Sequence, residues 1–72
     1  MNIKEAIDEA LLRGKAITRK SWQEEDQALW VIPTNTSACM ILLSHNGPVG
    51  QELIPGWQPE ASDLQADDWL TY

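Results

Sequence analysis

The sequence predicts an α+β fold, one helix packed on a small antiparallel sheet. Three observations carry that expectation. An apolar pattern of helical period occupies the first dozen residues, short apolar runs separated by turn residues follow, and four prolines between positions 33 and 59 exclude a long helix there. The 72 residues make one domain, residues 1 to 72, with no repeat, linker or low-complexity segment.

The helix comes first. Ile3, Ala6, Ile7, Ala10 and Leu11 follow the i, i+3, i+4, i+7, i+8 spacing of a helix with one buried face. Asn2 and Glu5 have the N-cap and N3 spacing of a capping box, and Gly14 supplies the left-handed residue that ends it, so the helix should cover about residues 3 to 13. KAITRKSW then reads as a short strand in which Ile17 points one way and its neighbours the other. ALWVIP, residues 28 to 33, is a second strand stopped by Pro33, and SACMILLS, residues 37 to 44, a third. HNGPVG, residues 45 to 50, carries turn chemistry, and QELI after it can form a short edge strand. Ser62 is placed to cap a single helical turn over residues 63 to 67, which leads into a final strand, WLTY.

A chain this short buries only ~60% of the surface its unfolded form exposes, and small domains usually add a disulfide, a metal or a partner subunit. Cys39 is the sole cysteine and His45 the sole histidine, so neither an intrachain disulfide nor a zinc site of ordinary spacing is expected, and no cofactor is expected. Oligomerisation remains. Cys39 lies in the apolar run SACMILL and reads as a small core residue. The first residues lack the basic start and apolar run of a signal peptide, and no stretch approaches ~20 apolar residues, so a cytosolic protein with no membrane span is expected.

The formal net charge is −6, and it is polarised. All five basic residues, Lys4, Arg13, Lys15, Arg19 and Lys20, fall in the first twenty positions, whereas residues 21 to 72 hold eight acids and no Lys or Arg. Nucleic acid and anionic membrane are poor partners for such a chain, since each calls for a broad basic face. A small anion needs one or two cations, which Arg19 and Lys20 can supply, though the same pair also reads as a solvated strand face.

Catalytic patterns are lacking. One histidine and one cysteine make no convincing triad, no glycine-rich phosphate loop is present, and the neighbours Asp67 and Asp68 read more simply as an acidic turn than as an acid–base pair. The aromatic residues are more informative, with four Trp and no Phe. Trp30, inside an apolar strand, belongs to the core or an oligomer interface, and Trp69, beside Leu70, to the core. Trp22 and Trp57 sit in polar or loop surroundings. Each can be a stacking surface for a flat ring or a cap on the edge of a small core.

The order of these segments, a helix ending in Gly, then ITRKSW, ALWVIP and finally WQPEASDLQADDW, resembles the second type of phage Thoeris anti-defence sponge. The likeness spans nearly the whole chain. Arg19, Lys20, Ser21 and Trp22 match a first motif in which Ser21 replaces the usual Gly, and Trp57, Asp63, Leu64, Ala66, Asp68 and Trp69 match a closing motif. The chain is shorter than many members around residues 44 to 55.

What the resemblance implies is a non-enzymatic protein that binds a cyclic nucleotide immune signal, a glycocyclic ADP-ribose isomer made by TIR proteins, and withholds it from its effector. Some members also hold cyclic oligonucleotides. The family assembles as homo-oligomers, dimers or tetramers, with pockets at subunit interfaces, and a phage-encoded member would act in the host cytoplasm. On this reading Trp22 stacks on adenine, Arg19 and Lys20 meet the pyrophosphate, Trp57 lies at the pocket rim, and Asp63 or Asp68 accepts hydrogen bonds from ribose hydroxyls. The alternative is an acidic inhibitor or nucleic-acid mimic acting by protein–protein contact, for which Glu24, Glu25 and Asp26 form the longest acidic run. A hydrolase of the same nucleotides lacks a nucleophile or metal site.

Overall fold

The N-terminal helix forms where its caps put it. In the computed structural model, which describes residues 1–25, 29–47 and 50–72, α1 spans Ile3–Arg13. Asn2 Oδ1 accepts the Glu5 N–H at 2.8 Å, and Glu5 Oε1 accepts the Asn2 N–H at 3.0 Å. That reciprocal pair satisfies donors the helix itself cannot. Gly14, at φ 65°, closes the other end by donating its N–H to Ala10 O. The buried residues of α1 are Ala6 and Ala10, whose small side chains let the helix sit close to the sheet. Leu11 does not join them. It is 45% exposed and Leu12 85%, so the buried stripe is narrower than the apolar pattern suggests.

Five strands form one sheet: β1 Ile17–Arg19, β2 Leu29–Pro33, β3 Met40–Gly47, β4 Gly50–Ile54 and β5 Trp69–Thr71. Their order is β4-β3-β2-β1-β5, and every neighbouring pair is antiparallel. Two one-turn helices, α2 Lys20–Glu24 and α3 Ala61–Gln65, complete the fold. The architecture is the predicted one, a helix on a small antiparallel sheet, and β4 is an edge strand as expected.

Several boundaries differ from expectation for identifiable reasons. KAITRKSW is strand only to Arg19; from Lys20 it turns into α2, where Lys20 and Glu24 face each other at helical spacing. β3 starts at Met40, because residues 34 to 39 fold into a turn in which the Cys39 N–H meets Thr36 O at 2.9 Å and the Cys39 carbonyl accepts from the Thr34 hydroxyl. Cys39 adopts φ 59° and is exposed, so it is a turn residue and not the core residue its apolar neighbours suggested. His45, Asn46 and Gly47 continue β3 instead of turning. Ala28 of the second predicted strand, Pro48 and Val49 of the predicted turn and Asp26 of the acidic run lie outside the described residues.

Directly opposed residues in an antiparallel pair share a face. Ile17 is opposite both Val31 and Thr71, Arg19 is opposite Trp69, and Val31 is opposite Leu42. These residues form the first face, against which α1 packs. The core is Ala6, Ala10, Ile17, Val31 and Trp69, each buried, with Ile3, Ile7, Met40 and Leu42 around them. Trp69 is wholly enclosed and donates its indole N–H to Asp63 O at 2.9 Å, so its one polar atom is satisfied. Thr18, on the second face, is also buried; its hydroxyl donates to Leu29 O at 2.8 Å and accepts from the Gln23 amide at 2.9 Å. Among the described residues, no helix is long and apolar enough to cross a membrane.

Trp69→Ala should remove ~3–5 kcal/mol, a large part of the ~4–11 kcal/mol a chain of this length commands. Leu12→Ala, at an exposed position, should shift stability by less than ~0.5 kcal/mol. Urea denaturation followed by circular dichroism reads both, and equal effects would show that Trp69 is not the anchor of the core.

Candidate functional site

The site begins where β1 becomes α2. Arg19 precedes α2 and makes no side-chain cap for it, so its first N–H groups need partners from elsewhere. Asp68 provides them from across the fold: its backbone carbonyl accepts the Lys20 N–H at 2.9 Å, and its Oδ2 accepts the Ser21 N–H at 3.0 Å.

The other oxygen of Asp68 holds Arg19. Arg19 Nε donates to Asp68 Oδ1 at 2.9 Å, and Nη1 donates to Asp63 Oδ1 at 3.2 Å. The Arg19 side chain is only 18% exposed and that of Asp63 13%. Partial burial would push the Asp68 carboxyl up, but the hydrogen bonds from Arg19 and Ser21, with the Arg19 charge, outweigh it and hold that carboxyl below the usual carboxylate range. The Asp68 hydrogen bond leads the contacts that raise the Arg19 guanidinium, against partial desolvation.

Asp63 is the second node. Its Oδ2 accepts the Glu60 N–H at 2.9 Å, reaching back over the first turn of α3. This contact makes Glu60 the N-cap and starts α3 at Ala61, so Ser62 lies inside the helix instead of capping it. Glu60 and Asp63 have capping-box spacing in the sequence, a signal that the more conventional Ser62 obscured.

Three indoles pack beside this ion cluster. Trp22 meets Trp69 edge-on, with ring centroids 5.2 Å apart and planes at 80°. Trp57 meets Trp69 at 6.1 Å and Trp22 at 6.3 Å, again near-perpendicular. This arrangement sets the positive edge of one ring against the negative face of another. Trp57 is held further by its backbone N–H, which donates to Met40 O at 2.8 Å. Trp22 and Trp57 are half-buried, so each packs on the core and keeps part of its ring open. Trp30 belongs to a different neighbourhood, tilted against Tyr72 at 5.3 Å.

A cleft of about 500 Å³ opens over the ion cluster, lined by Arg19, Ser21, Trp22, Glu60, Ser62 and Asp63, with Glu25 and Leu29. Of the six residues singled out from the sequence, Arg19, Trp22 and Asp63 line it. Asp68 and Trp57 stand behind, one orienting Arg19 and the other packed on Trp22. Lys20 is exposed and is not part of the lining; its ammonium lies 3.9 Å from Glu24. Glu60, Ser21 and Ser62 were not expected as lining residues. Three carboxylates and two hydroxyls therefore surround one guanidinium that is already paired, a lining suited to donors such as sugar hydroxyls. Among the described residues, no group of three or more His, Cys, Asp or Glu is placed to hold a metal ion.

A family model, the Thoeris anti-defense 2-like domain, matches residues 1–72. The chain belongs to that family. No curated protein and no solved structure matches it. Membership of the Thoeris anti-defense 2-like family supports an anti-defence role. Residues 19–22 and 57–69 build the ion cluster, the indole cluster and most of the cleft lining.

The Asp68 pairing has a pH signature. A carboxyl held low in the folded state adds stability above its unfolded pKa, and that stability is lost as pH falls through the folded value. Asp68→Asn lacks it. The gap in melting temperature between wild type and Asp68→Asn should be widest at neutral pH and shrink below about pH 4. Thermal melts across that range measure it; a gap independent of pH would show that the ionic pairing is not what Asp68 contributes.

Proposed function

We propose that this chain is a nucleotide sponge: it binds a cyclic ADP-ribose isomer made by TIR proteins and withholds it from its effector without cleaving it. The observation that supports this reading is the meeting of Arg19, Trp22 and Asp63 on one cleft in a chain of this family. A volume of about 500 Å³ lies within the range of small-molecule sites, roughly 300–1,000 Å³.

Each lining group has a part in the proposed binding. The open part of Trp22 stacks on the adenine. Glu60 and Asp63 accept from ribose hydroxyls, while Ser21 and Ser62 can donate or accept. The lining as a whole is acidic, so the pyrophosphate is placed at its basic side, against the Arg19 N–H groups not committed to Asp63 and Asp68. Lys20, the next residue, has a long and exposed side chain that can swing toward phosphate. Asp68 and Trp57 act as positioning residues. Sequestration then follows from mass action: the signal is withheld when the protein outnumbers it and binds more tightly than the effector, each ~1.4 kcal/mol of advantage being tenfold.

The decisive experiment mixes the protein with TIR-derived cyclic ADP-ribose isomers, removes unbound nucleotide, denatures the protein by heat and identifies what is released. Intact signal at near-stoichiometric yield is expected. A degraded product would make the protein an enzyme, and empty protein would favour an acidic inhibitor acting by protein contact.

Trp22→Ala should weaken capture by the value of one stacked base, ~1–3 kcal/mol or roughly 5- to 150-fold. Because Trp22 also packs on Trp69, a melt at the assay temperature must accompany the titration. Unchanged affinity in a folded Trp22→Ala protein would refute the stacking role.

A further inference from the structure

The charge on the cleft is the opposite of what strong phosphate binding calls for. Among the described residues, its lining holds three carboxylates, Glu25, Glu60 and Asp63, against one guanidinium, Arg19. That guanidinium is divided, with Nε on Asp68 and Nη1 on Asp63. Arg19 and its two acids together are already in negative excess, so the N–H groups left on Arg19 can orient a phosphate but attract it weakly. Lys20 brings no relief from the lining, since it is exposed, outside it and 3.9 Å from Glu24.

Glu60 and Asp63 use their charges differently. Asp63 commits both oxygens, Oδ1 to Arg19 and Oδ2 to the Glu60 N–H, and its side chain is 13% exposed. Glu60, the N-cap of α3, is exposed, and among the described residues no ion pair involves its carboxylate. It therefore stands on the lining with its charge unopposed. Such a group treats two kinds of phosphate unequally. A phosphate in diester linkage, including each phosphorus of a pyrophosphate that joins two sugars, carries a single negative charge. A terminal phosphate ionises a second time near pH 6 and carries about −1.5 to −2 at neutral pH.

We propose that Glu60 makes the cleft select against terminal phosphates, so that it takes adenine nucleotides whose phosphates are all in diester linkage and turns away nucleoside mono-, di- and triphosphates. The proposal rests on the nucleotide reading given above and adds to it a rule of exclusion. Nucleoside di- and triphosphates are abundant adenine-bearing anions in any cell. A cleft that answered only to adenine, ribose and pyrophosphate would be filled by them through mass action before a scarce signal arrived. Specificity of this kind comes from a repulsive element set against the wrong ligand as well as from contacts with the right one. Glu60 supplies both, accepting from a ribose hydroxyl of a diester ligand and repelling the second charge of a terminal phosphate.

NMR titration of the full chain with ADP and with its β-methyl ester tests the rule. The two probes share adenine, ribose and pyrophosphate and differ in whether the end phosphate can take its second charge. Wild type should hold the ester roughly 3- to 10-fold more tightly than ADP, the size of one like-charge contact at a partly exposed site. The gap should narrow as salt is raised from about 50 to about 500 mM, because screening weakens the repulsion. Glu60→Gln keeps the backbone N–H that Asp63 accepts and an acceptor for the hydroxyl. It should close most of the gap by gaining affinity for ADP, with the ester nearly unchanged. Equal affinities in wild type, a gap insensitive to salt, or no gain of ADP affinity in Glu60→Gln would overturn the proposal and leave the sponge reading standing. A wild type that captures neither the ester nor a TIR-derived cyclic ADP-ribose isomer would overturn both.

Discussion

The guanidinium of Arg19 is the point on which the rest of the site depends. Its two carboxylate partners come from different segments, Asp63 from α3 and Asp68 from the residue before β5. Neither carboxylate serves Arg19 alone, for Asp68 also accepts the Ser21 N–H and Asp63 the Glu60 N–H. One cation therefore sets the start of two helices and the entry to the last strand. Removing either acid leaves a half-buried charge with a missing partner and, at the same time, an unpaired helix terminus, which is why the arrangement is worth more than a surface ion pair. The contrast is visible in the same chain: Lys4–Asp8 and Arg13–Glu9 are i,i+4 pairs, with Lys4, Asp8 and Arg13 more than half exposed, and they decide nothing beyond local helix support.

The ion cluster and the indole cluster share Trp69. Its indole N–H bonds Asp63 O, its ring lies under Trp22 and Trp57, and it sits across from Arg19 in the sheet. Polar and apolar ordering therefore reinforce each other: the buried ring holds the carbonyl of the residue whose carboxylate holds the arginine. For the proposed binding, the consequence is preorganisation. Arg19, Asp63 and Trp22 face the cleft in conformations already set by contacts behind it, so little side-chain entropy is left for a ligand to remove. The same contacts limit the chemistry. A guanidinium shared by two carboxylates carries less unopposed charge toward a phosphate than a free one does, while the carboxylates around it remain good acceptors for hydroxyls.

What could be read from the sequence divides along the distance over which each contact acts. The first helix was legible to the residue, because Asn2, Glu5 and Gly14 are local signals that lie within or next to it. The sheet was legible in kind, since turn residues separate its strands. The end of β1 was not: Arg19 and Lys20 look like one basic strand segment, and the partner that ends the strand, Asp68, lies 47 residues beyond Ser21. Cys39 failed for a related reason. Its neighbours are apolar, but hydrogen bonds to Thr34 and Thr36 put it in a turn at positive φ. Arg19, Trp22 and Asp63 were each singled out in the sequence and all three line the cleft, whereas the division into lining residues and residues behind them depends on which carboxylate faces the arginine and from where.

The antiparallel register explains how so small a chain can hold both a core and a cleft. Alternation sends Ile17, Arg19, Val31, Leu42 and Trp69 to one face and Thr18, Trp30, Ile32, Leu43 and Leu70 to the other. The first face takes the helix near Ile17 and Val31 and, toward Arg19 and Trp69, the clusters that shape the cleft. A charged residue can occupy that face only because its two acids arrive with it; without them Arg19 would be a buried cation beside the core. The residues that the register sends to the second face, Thr18, Trp30, Ile32, Ile41, Leu43, Leu53 and Leu70, are all uncharged. A one-residue slip of β1 would exchange Arg19 for Thr18 and bring the arginine onto the apolar side. The ion cluster thus also specifies register, since only the observed pairing lets Arg19 reach both Asp63 and Asp68 while Ile17 remains against Val31.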